Sequence, residues 1–370
     1  MTQLTNRRRF LKQIKKMGLL TAVMGFTGWP TGCASSAPLS QTAEAETLPG
    51  RPYHHIAEGF RNPMGSPIHE HGITNLLKHV WHELSRNDPE VPQDHFIGQD
   101  QAAANLEATG NGDKITWLGH SSFLLRLSGI NILLDPFLSD YATSVPPFGP
   151  MRYTPPGLSV EKLPEIDLII ISHNHYDHMD SATLKALPLR HNIRIIVPLK
   201  LGKICKELGY KKVTELDWLD TKKSGPITIT SLPAVHFSGR SLSDRNKTLW
   251  AGYSINSRGT KIYFSGDTAY HSLFKEIGRN YGPFDYGLLP IGAYRPHPMK
   301  NYAHTTPEQA VKLGLDLKIN TLIPMHWGSL VLSQAPVFEA PARFLEAGRK
   351  AGYTDLSLWK MRVGQTRQLG

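Results

Sequence analysis

Apolar and polar positions along the chain fall into two periods. Short segments at 114–118, 122–127, 130–134, 168–171, 227–230, 261–264 and 321–325 alternate with period two or run apolar throughout, and each predicts a strand. Helical signals fall between some of them. A helix is predicted just after His178, another over 199–208, and a third over 307–315. The third carries the fullest start signal, with Thr306 as N-cap, Pro307 in the first position and Gln309 completing a capping box. Strands alternating with helices, with hairpins among them, predict a mixed α/β (α+β) fold, a four-layer αββα sandwich with its site along one sheet edge.

Outside these segments the periodicity weakens. Residues 53–101 show only one helical stretch, at 73–83, and are expected to wrap the core or border the substrate entrance. The loop at 139–157 holds Pro146, Pro147, Pro150, Pro155 and Pro156 among Tyr141, Phe148, Met151 and Tyr153. It reads as a stiff cover over the sheets or as an apolar wall for lipid chains. No internal repeat is visible.

The chain has 370 residues, 40% of them hydrophobic, enough for a large core. One elaborated domain over 51–370 is expected, preceded by a flexible tether at 34–50 rich in Ser, Ala and Thr. Residues 1–33 read differently. Arg7-Arg8-Arg9-Phe10-Leu11-Lys12 resembles a twin-arginine export signal, and Thr31-Gly32-Cys33 resembles a lipobox whose cysteine is lipidated. The stretch 17–32 is uncharged but too short and glycine-rich for a good membrane span. The expected location is therefore periplasmic or membrane-anchored, by the twin-arginine route. Two cysteines, Cys33 and Cys205, exclude a disulfide framework and leave Cys205 a free thiol.

Charge follows from the same segment. The formal net charge is +10, and six cations with no acid lie in residues 1–32, so the remainder carries +4. Nucleic acid loses its main support as a partner, while anionic lipid headgroups stay compatible. Oligomeric state is not legible.

The strongest chemical signal is Ser172-His173-Asn174-His175-Tyr176-Asp177-His178, an HxHxDH cluster directly after Leu168-Ile169-Ile170-Ile171. Three imidazoles and a carboxylate this close suit a bound cation; nitrogen and oxygen donors favour Zn²⁺, with Fe or Mn as substitutes. One turn of chain cannot wrap all four around a single ion, so two adjacent metals are expected. Other donors sit just past strand ends: His236 after 227–230, Asp267 after 261–264, and His326 after 321–325. The set becomes His173, His175 and His236 for one metal, Asp177, His178 and His326 for the other, and Asp267 between them. Asp135 and His120, also at strand ends, are candidates for orienting the ligand imidazoles. His54, His55, His69 and His71 lack such placement and are expected to be solvated or in local contacts.

These residues resemble the metallo-β-lactamase superfamily. Further stretches resemble the phospholipase D enzymes that hydrolyse N-acylphosphatidylethanolamine, and their bacterial relatives: Trp117-Leu118-Gly119-His120, Leu134-Asp135-Pro136, Gly282-Pro283-Phe284-Asp285, Pro290-Ile291-Gly292-Ala293-Tyr294, His304 and His326-Trp327-Gly328. The resemblance covers residues 50–335. It implies that the seven residues above are zinc ligands and that His304 takes part in catalysis or phosphate contact. Two departures matter. Ala303 stands where the family enzyme has glutamine, removing one polar contact to a headgroup. Asp267 stands where typical zinc β-lactamases carry cysteine, which disfavours antibiotic hydrolysis.

The implied activity is a binuclear phosphodiesterase of phospholipase D type, in which a metal-bridging hydroxide attacks phosphorus. Asp177 would orient that nucleophile, and His304 would stabilise the anionic oxygens or protonate the leaving alkoxide. Two alternatives stay open: a metal-dependent lactonase or other ester hydrolase, similar to ascorbate-6-phosphate lactonase, and a non-catalytic metal-binding envelope lipoprotein.

Overall fold

The computed structural model describes residues 48–67, 89–147, 149–241, 243–295 and 302–370. The expected export signal, Cys33, most of the tether, the helix at 73–83, His69, His71 and Phe148 lie outside the described residues.

Two mixed sheets face each other. One runs β15-β3-β4-β5-β6-β7-β8 across its width and the other β14-β13-β12-β11-β10-β9. The strands of the first are β3 (Lys114–Gly119), β4 (Ser122–Leu127), β5 (Ile130–Leu134), β6 (Leu168–Ile170), β7 (Arg194–Pro198), β8 (Lys212–Leu216) and β15 (Thr366–Gln368). Those of the second are β9 (Thr221–Ser224), β10 (Ile227–Leu232), β11 (Gly252–Ser257), β12 (Thr260–Phe264), β13 (Phe284–Pro290) and β14 (Ile319–Met325). A short hairpin, β1 (His55–Ile56) with β2 (Gly59–Phe60), stands apart.

The period-two pattern explains the layering. On β6, Leu168 and Ile170 point into the core shared by both sheets, while Ile169 faces the outer cluster with Leu184, Leu187 and Cys205. A strand buried on both faces reads as a continuous apolar run, and β6 pairs in parallel on both sides, with β5 and β7. Helices α1 (Gln99–Ala108), α2 (Ser181–Ala186) and α3 (Gly202–Glu207) contribute to that outer cluster. Helices α4 (Leu273–Asn280), α5 (Pro307–Asp316) and α6 (Glu339–Lys350) put Phe274, Ile277, Val311, Leu313 and Phe344 into the main core. The result is the expected αββα sandwich.

At α5 the capping box is present as expected. Thr306 Oγ1 accepts from Gln309 N (3.2 Å), and Gln309 Oε1 accepts from Thr306 N (3.0 Å). The expected helix at 199–208 begins later, at Gly202. Cys205 within it is a buried free thiol. Arg152 pins the proline-rich loop: its guanidinium lies 4.4 Å over the Phe137 ring and donates to the carbonyls of Phe137 and Ser139. Beside it Phe137, Ala142 and Leu330, with Tyr176 and Leu332, form a small apolar cluster. Among the described residues no helix is long and apolar enough to cross a membrane.

His54 and His55 depart from expectation. Both are buried, and their Nε2 atoms lie 2.6 Å from separate oxygens of Asp217, in the turn after β8. They are neither solvated nor local: the contact spans more than 160 residues of sequence.

Candidate metal centre

The predicted donors converge on loops at one edge of the sandwich. His173, His175, Asp177 and His178 follow β6, His236 follows β10, Asp267 follows β12 and His326 follows β14. All but His175 and Asp177 are buried, and those two are half-buried. Carboxyl ends of strands are where open α/β sheets present ligand sites, because several loops meet there on a rigid frame.

Two clusters are resolved. In the first, His175 Nδ1 lies 2.8 Å from His173 Nε2 and 3.3 Å from His236 Nε2. In the second, Asp177 Oδ2 lies 3.5 Å from His178 Nε2 and 3.7 Å from His326 Nε2. Asp267 Oδ2 stands between them, 3.0 Å from His326 Nε2, 3.3 Å from His178 Nε2 and 3.7 Å from His236 Nε2. Donors bonded to Zn²⁺ at 2.0–2.1 Å in tetrahedral array are separated by about 3.3 Å, so these spacings match the edges of two coordination polyhedra sharing one carboxylate.

The outer contacts fix which nitrogen faces inward. Asp135, fully buried, accepts from Ser172 N (2.6 Å) and from His178 Nδ1 (2.7 Å), leaving His178 Nε2 toward the carboxylates. Ser172 Oγ donates to Asp135 and lies 2.9 Å from His173 Nδ1. His236 Nδ1 donates to Ala303 O (2.9 Å). Ala303, lacking the family glutamine, thus still supplies a backbone acceptor. Such partners orient ligand imidazoles and raise their basicity.

Electrostatics divide the site. Burial pushes the imidazoles of the first triad down, His175 to about 4, His236 to about 3 and His173 well below the ordinary value. Neutral imidazole is the form that ligates a cation. Burial acts on the second cluster as well, but there the carboxylates of Asp267 and Asp177 outweigh it, raising His326 to about 9 and His178 well above its usual value. Conversely, burial pushes the carboxyls of Asp177 and Asp267 up, and the neighbouring imidazoles, His178 foremost, overcome it and hold both well below the usual range. With no cation bound, protons on His178 and His326 are favoured by the two buried carboxylates, a charge balance that a dication would supply instead.

A metal fits on the structure's own terms. His178 Nε2, His326 Nε2 and Asp267 Oδ1 are buried without a hydrogen-bond partner among the described residues. Buried polar atoms are ordinarily satisfied, so imidazole nitrogens left unsatisfied beside two carboxylates fit a bound cation.

His304 is brought in too. Its ring lies 5.3 Å from that of His236 and 5.2 Å from that of His326, and its Nδ1 is 3.8 Å from Asp267 Oδ2. His120 comes closer than an outer partner: its Nε2 is 2.9 Å from Asp177 Oδ2. Burial, aided by His326, pushes its imidazole down to about 3.

Several supporting residues carry no sequence signal of their own. Asn62 brackets the His236 backbone, its Nδ2 donating to His236 O (2.8 Å) and its Oδ1 accepting from His236 N (2.9 Å). Arg240 donates to Asn174 O (3.0 Å), Met179 O (2.8 Å) and Ser181 Oγ (2.9 Å), clamping both ends of the ligand loop. At Gly266, with φ +55°, a Cβ would lie 2.5 Å from Ser172 Cβ, so both conformation and space demand glycine before Asp267.

A beta-lactamase superfamily domain matches residues 130–327. The N-acyl-phosphatidylethanolamine-hydrolyzing phospholipase D 1 of Caenorhabditis elegans is 34% identical over 324 residues, covering 83% of this chain and 89% of that protein. Among solved structures, Igni18, a metallo hydrolase from Ignicoccus hospitalis, aligns with a TM-score of 0.54 at 22% identity, over 70% of this chain and 98% of its own. CmlA, a diiron beta-hydroxylase from Streptomyces venezuelae, gives 0.54 at 21%, over 70% of this chain and 54% of its own. Two facing sheets flanked by helices, histidines and aspartates gathered at the strand ends, and these likenesses together place the chain in the metallo-β-lactamase superfamily, as a metal-dependent hydrolase.

Proposed function

We propose that this protein is a binuclear zinc phosphodiesterase of phospholipase D type acting on N-acylphosphatidylethanolamine-like phospholipids. The observation that carries the reading is Asp267 Oδ2 standing between two donor clusters, within 3.0–3.7 Å of His326, His178 and His236. His173, His175 and His236 would hold one ion, and Asp177, His178 and His326 the other, with Asp267 shared. Bound there, a pair of dications supplies a water that ionises near neutral pH and offsets charge on a phosphate. Zinc is supported by the nitrogen-rich donor set; CmlA, of the same fold, is a diiron protein, so iron is the competing assignment. The substrate class is supported by the 34% identity to the nematode phospholipase D.

The chain's own groups serve this chemistry. Asp177, held ionised, orients a proton-bearing nucleophile, and its bond to His120 fixes the carboxylate. His304 stands where it can protonate a leaving alkoxide or donate to a phosphoryl oxygen. The apolar cluster of Phe137, Ala142, Leu330, Tyr176 and Leu332 flanks the ligand loop and suits an acyl chain. The Arg7-Arg8-Arg9 segment and Cys33 carry an accompanying proposal, twin-arginine export followed by anchoring through lipidated Cys33, tested by the mass of the mature N-terminus.

The test of activity is product mass spectrometry with metal analysis. Zinc-loaded protein is offered N-acylphosphatidylethanolamine, phosphatidylethanolamine and a lactone panel. Phosphatidic acid that disappears with a chelator, and in His175→Ala, supports the proposal. Lactone opening with the phospholipids intact moves the protein to the lactonase reading, and metal binding without any turnover moves it to the lipoprotein one.

A further inference from the structure

Phe237, next to ligand His236, places its ring 4.6 Å from that of His175, edge-on, and 4.7 Å from that of His236. On that ring lies Arg245, its guanidinium carbon 4.3 Å from the centroid. The two steps together place the charge no more than about 9 Å from the His175 ring, comparable to the screening length at physiological salt, about 8 Å.

Arg245 differs from the arginines whose guanidinium is already committed. Arg343 is paired with Glu308 and Glu339, and Arg240 and Arg152 donate to backbone carbonyls. Arg245 is half-buried, and among the described residues no carboxylate lies within ion-pair distance of it. Its neighbour Asp244 is already committed, accepting from Arg240 N (3.0 Å), Ser241 N (2.8 Å) and Ser241 Oγ (2.9 Å). Contact with the Phe237 ring offsets only part of the cost of desolvating the guanidinium. A partly desolvated cation beside a centre for dications, with no countercharge of its own, is arranged for an anion brought by the substrate.

Arg245 also sits on a fixed loop. Asn246 N donates to Ser238 O (2.9 Å), Ser238 Oγ to Thr248 O (2.6 Å), and Phe60 N to Asn246 O (2.8 Å), tying the backbone beside Arg245 to Ser238 and to β2. A guanidinium held this way loses little freedom on forming a forked contact with two phosphoryl oxygens.

We infer that Arg245 is the substrate-recognition residue for the phosphodiester monoanion, gripping its non-bridging oxygens from the side of the His173, His175 and His236 cluster. The inference rests on the phosphodiesterase reading and deepens it, since a neutral lactone would gain nothing from this contact.

The test uses the full chain in metal-loaded form, with Arg245→Gln and Arg245→Lys. Dimethyl phosphate is titrated by calorimetry at several salt concentrations, and bound metal is measured in each protein. Dimethyl phosphate should bind R245Q about tenfold more weakly than wild type, the size of one charged hydrogen-bonded contact. The salt dependence should shrink with it. R245K should lose less, because its ammonium keeps the charge without the fork. Metal content should be unchanged in both, and KM for N-acylphosphatidylethanolamine should rise in parallel with the loss of phosphate affinity. Equal affinity in wild type and R245Q, no binding by wild type, or loss of metal in R245Q each overturns the inference. The two readings separate cleanly. Binding through Arg245 without phospholipid cleavage sinks the reaction and keeps the recognition role; cleavage with phosphate affinity untouched by R245Q does the reverse.

Discussion

Asp135→Asn tests how the metal centre is held. Asp135 is fully buried and accepts from Ser172 N, Ser172 Oγ and His178 Nδ1. Asparagine keeps the shape, and its one carbonyl oxygen can keep the Ser172 N bond. Its amide then faces His178 Nδ1–H, donor against donor. His178 must either lose the bond or move its proton to Nε2, and Nε2 is the atom turned toward Asp177 and Asp267. A protonated Nε2 has no lone pair for a metal. A lost hydrogen bond to a charged group costs about 1.5–3 kcal/mol, and loss of an outer partner weakens metal binding roughly 10–100-fold. Ser172 Oγ carries a smaller effect to His173 in the other cluster, through the 2.9 Å contact to its Nδ1. On the binuclear proposal the expected result is therefore unequal: a metal held by Asp177, His178 and His326 is loosened by one to two orders of magnitude, one held by His173, His175 and His236 by less. Equilibrium dialysis against graded chelator, with metal counted by mass spectrometry, measures this, and a thermal melt checks that the fold survives. D135N holding both metals as firmly as wild type would refute the reasoning. So would loss of both metals together with the cooperative melt.

Two further predictions concern stability. In the chelated protein His120, His175 and His236 have folded-state values of about 3, 4 and 3, below the ordinary histidine value, so the stability they contribute is present above about pH 6.5 and is lost as pH falls toward the folded values. Each contributes a slope of up to about 1.4 kcal/mol per pH unit, and chelated protein should melt markedly lower at pH 5 than at pH 7; equal melting temperatures would contradict this. His326, raised to about 9, acts oppositely: its contribution is full below about pH 6.5 and fades as pH rises through 9, so the chelated fold should weaken on the alkaline side as well. Gly292→Ala places a Cβ 1.7 Å from the His326 carbonyl oxygen, which forces backbone apart at a metal ligand. A loss of more than about 3 kcal/mol in denaturant unfolding, together with reduced bound metal, is expected, and a wild-type unfolding midpoint would count against it.

Most of the donor set was legible because each donor sits in the loop that follows a strand whose apolar pattern is plain. Leu168 to Ile170 delivers the HxHxDH cluster, and β12 and β14 deliver Asp267 and His326. Asn62 and Arg240 were not legible. Each acts on atoms far away in the sequence, Asn62 across 174 residues to His236, and nothing local marks such a contact. His54 and His55 misled for the same reason, since their partner Asp217 belongs to a turn that propensity leaves anonymous. Strands β1, β2, β7, β8, β9, β11, β13 and β15 and helices α1, α4 and α6 were missed. β11 shows why: Gly252-Tyr253-Ser254-Ile255-Asn256-Ser257 mixes polar side chains into a strand that β10 and β12 enclose on both edges, so pairing overrides its weak propensity.

The site also contains residues that violate local preference. His120, Asp135, Ala293 and His326 have φ of +54°, +38°, +58° and +62°, in the left-handed region that glycine occupies freely. Such a residue costs of order 1–3 kcal/mol and persists only where surrounding structure over-determines it. For three of the four, glycine would remove the strain and the function with it. His120 bonds Asp177, Asp135 sets the His178 tautomer, and His326 faces Asp267. Backbone ties supply the compensation: His326 N donates to His120 O (3.0 Å), and His120 N donates to Ser329 Oγ (2.8 Å), so two strained residues hold each other. The side chain of Ala293 offers no such reason, and nothing in the structure explains its retention over glycine. A sequence reading built on propensity is expected to fail at such residues, and a cluster of L-residues forced into left-handed turns beside orphaned buried donors marks a functional centre independently of any motif.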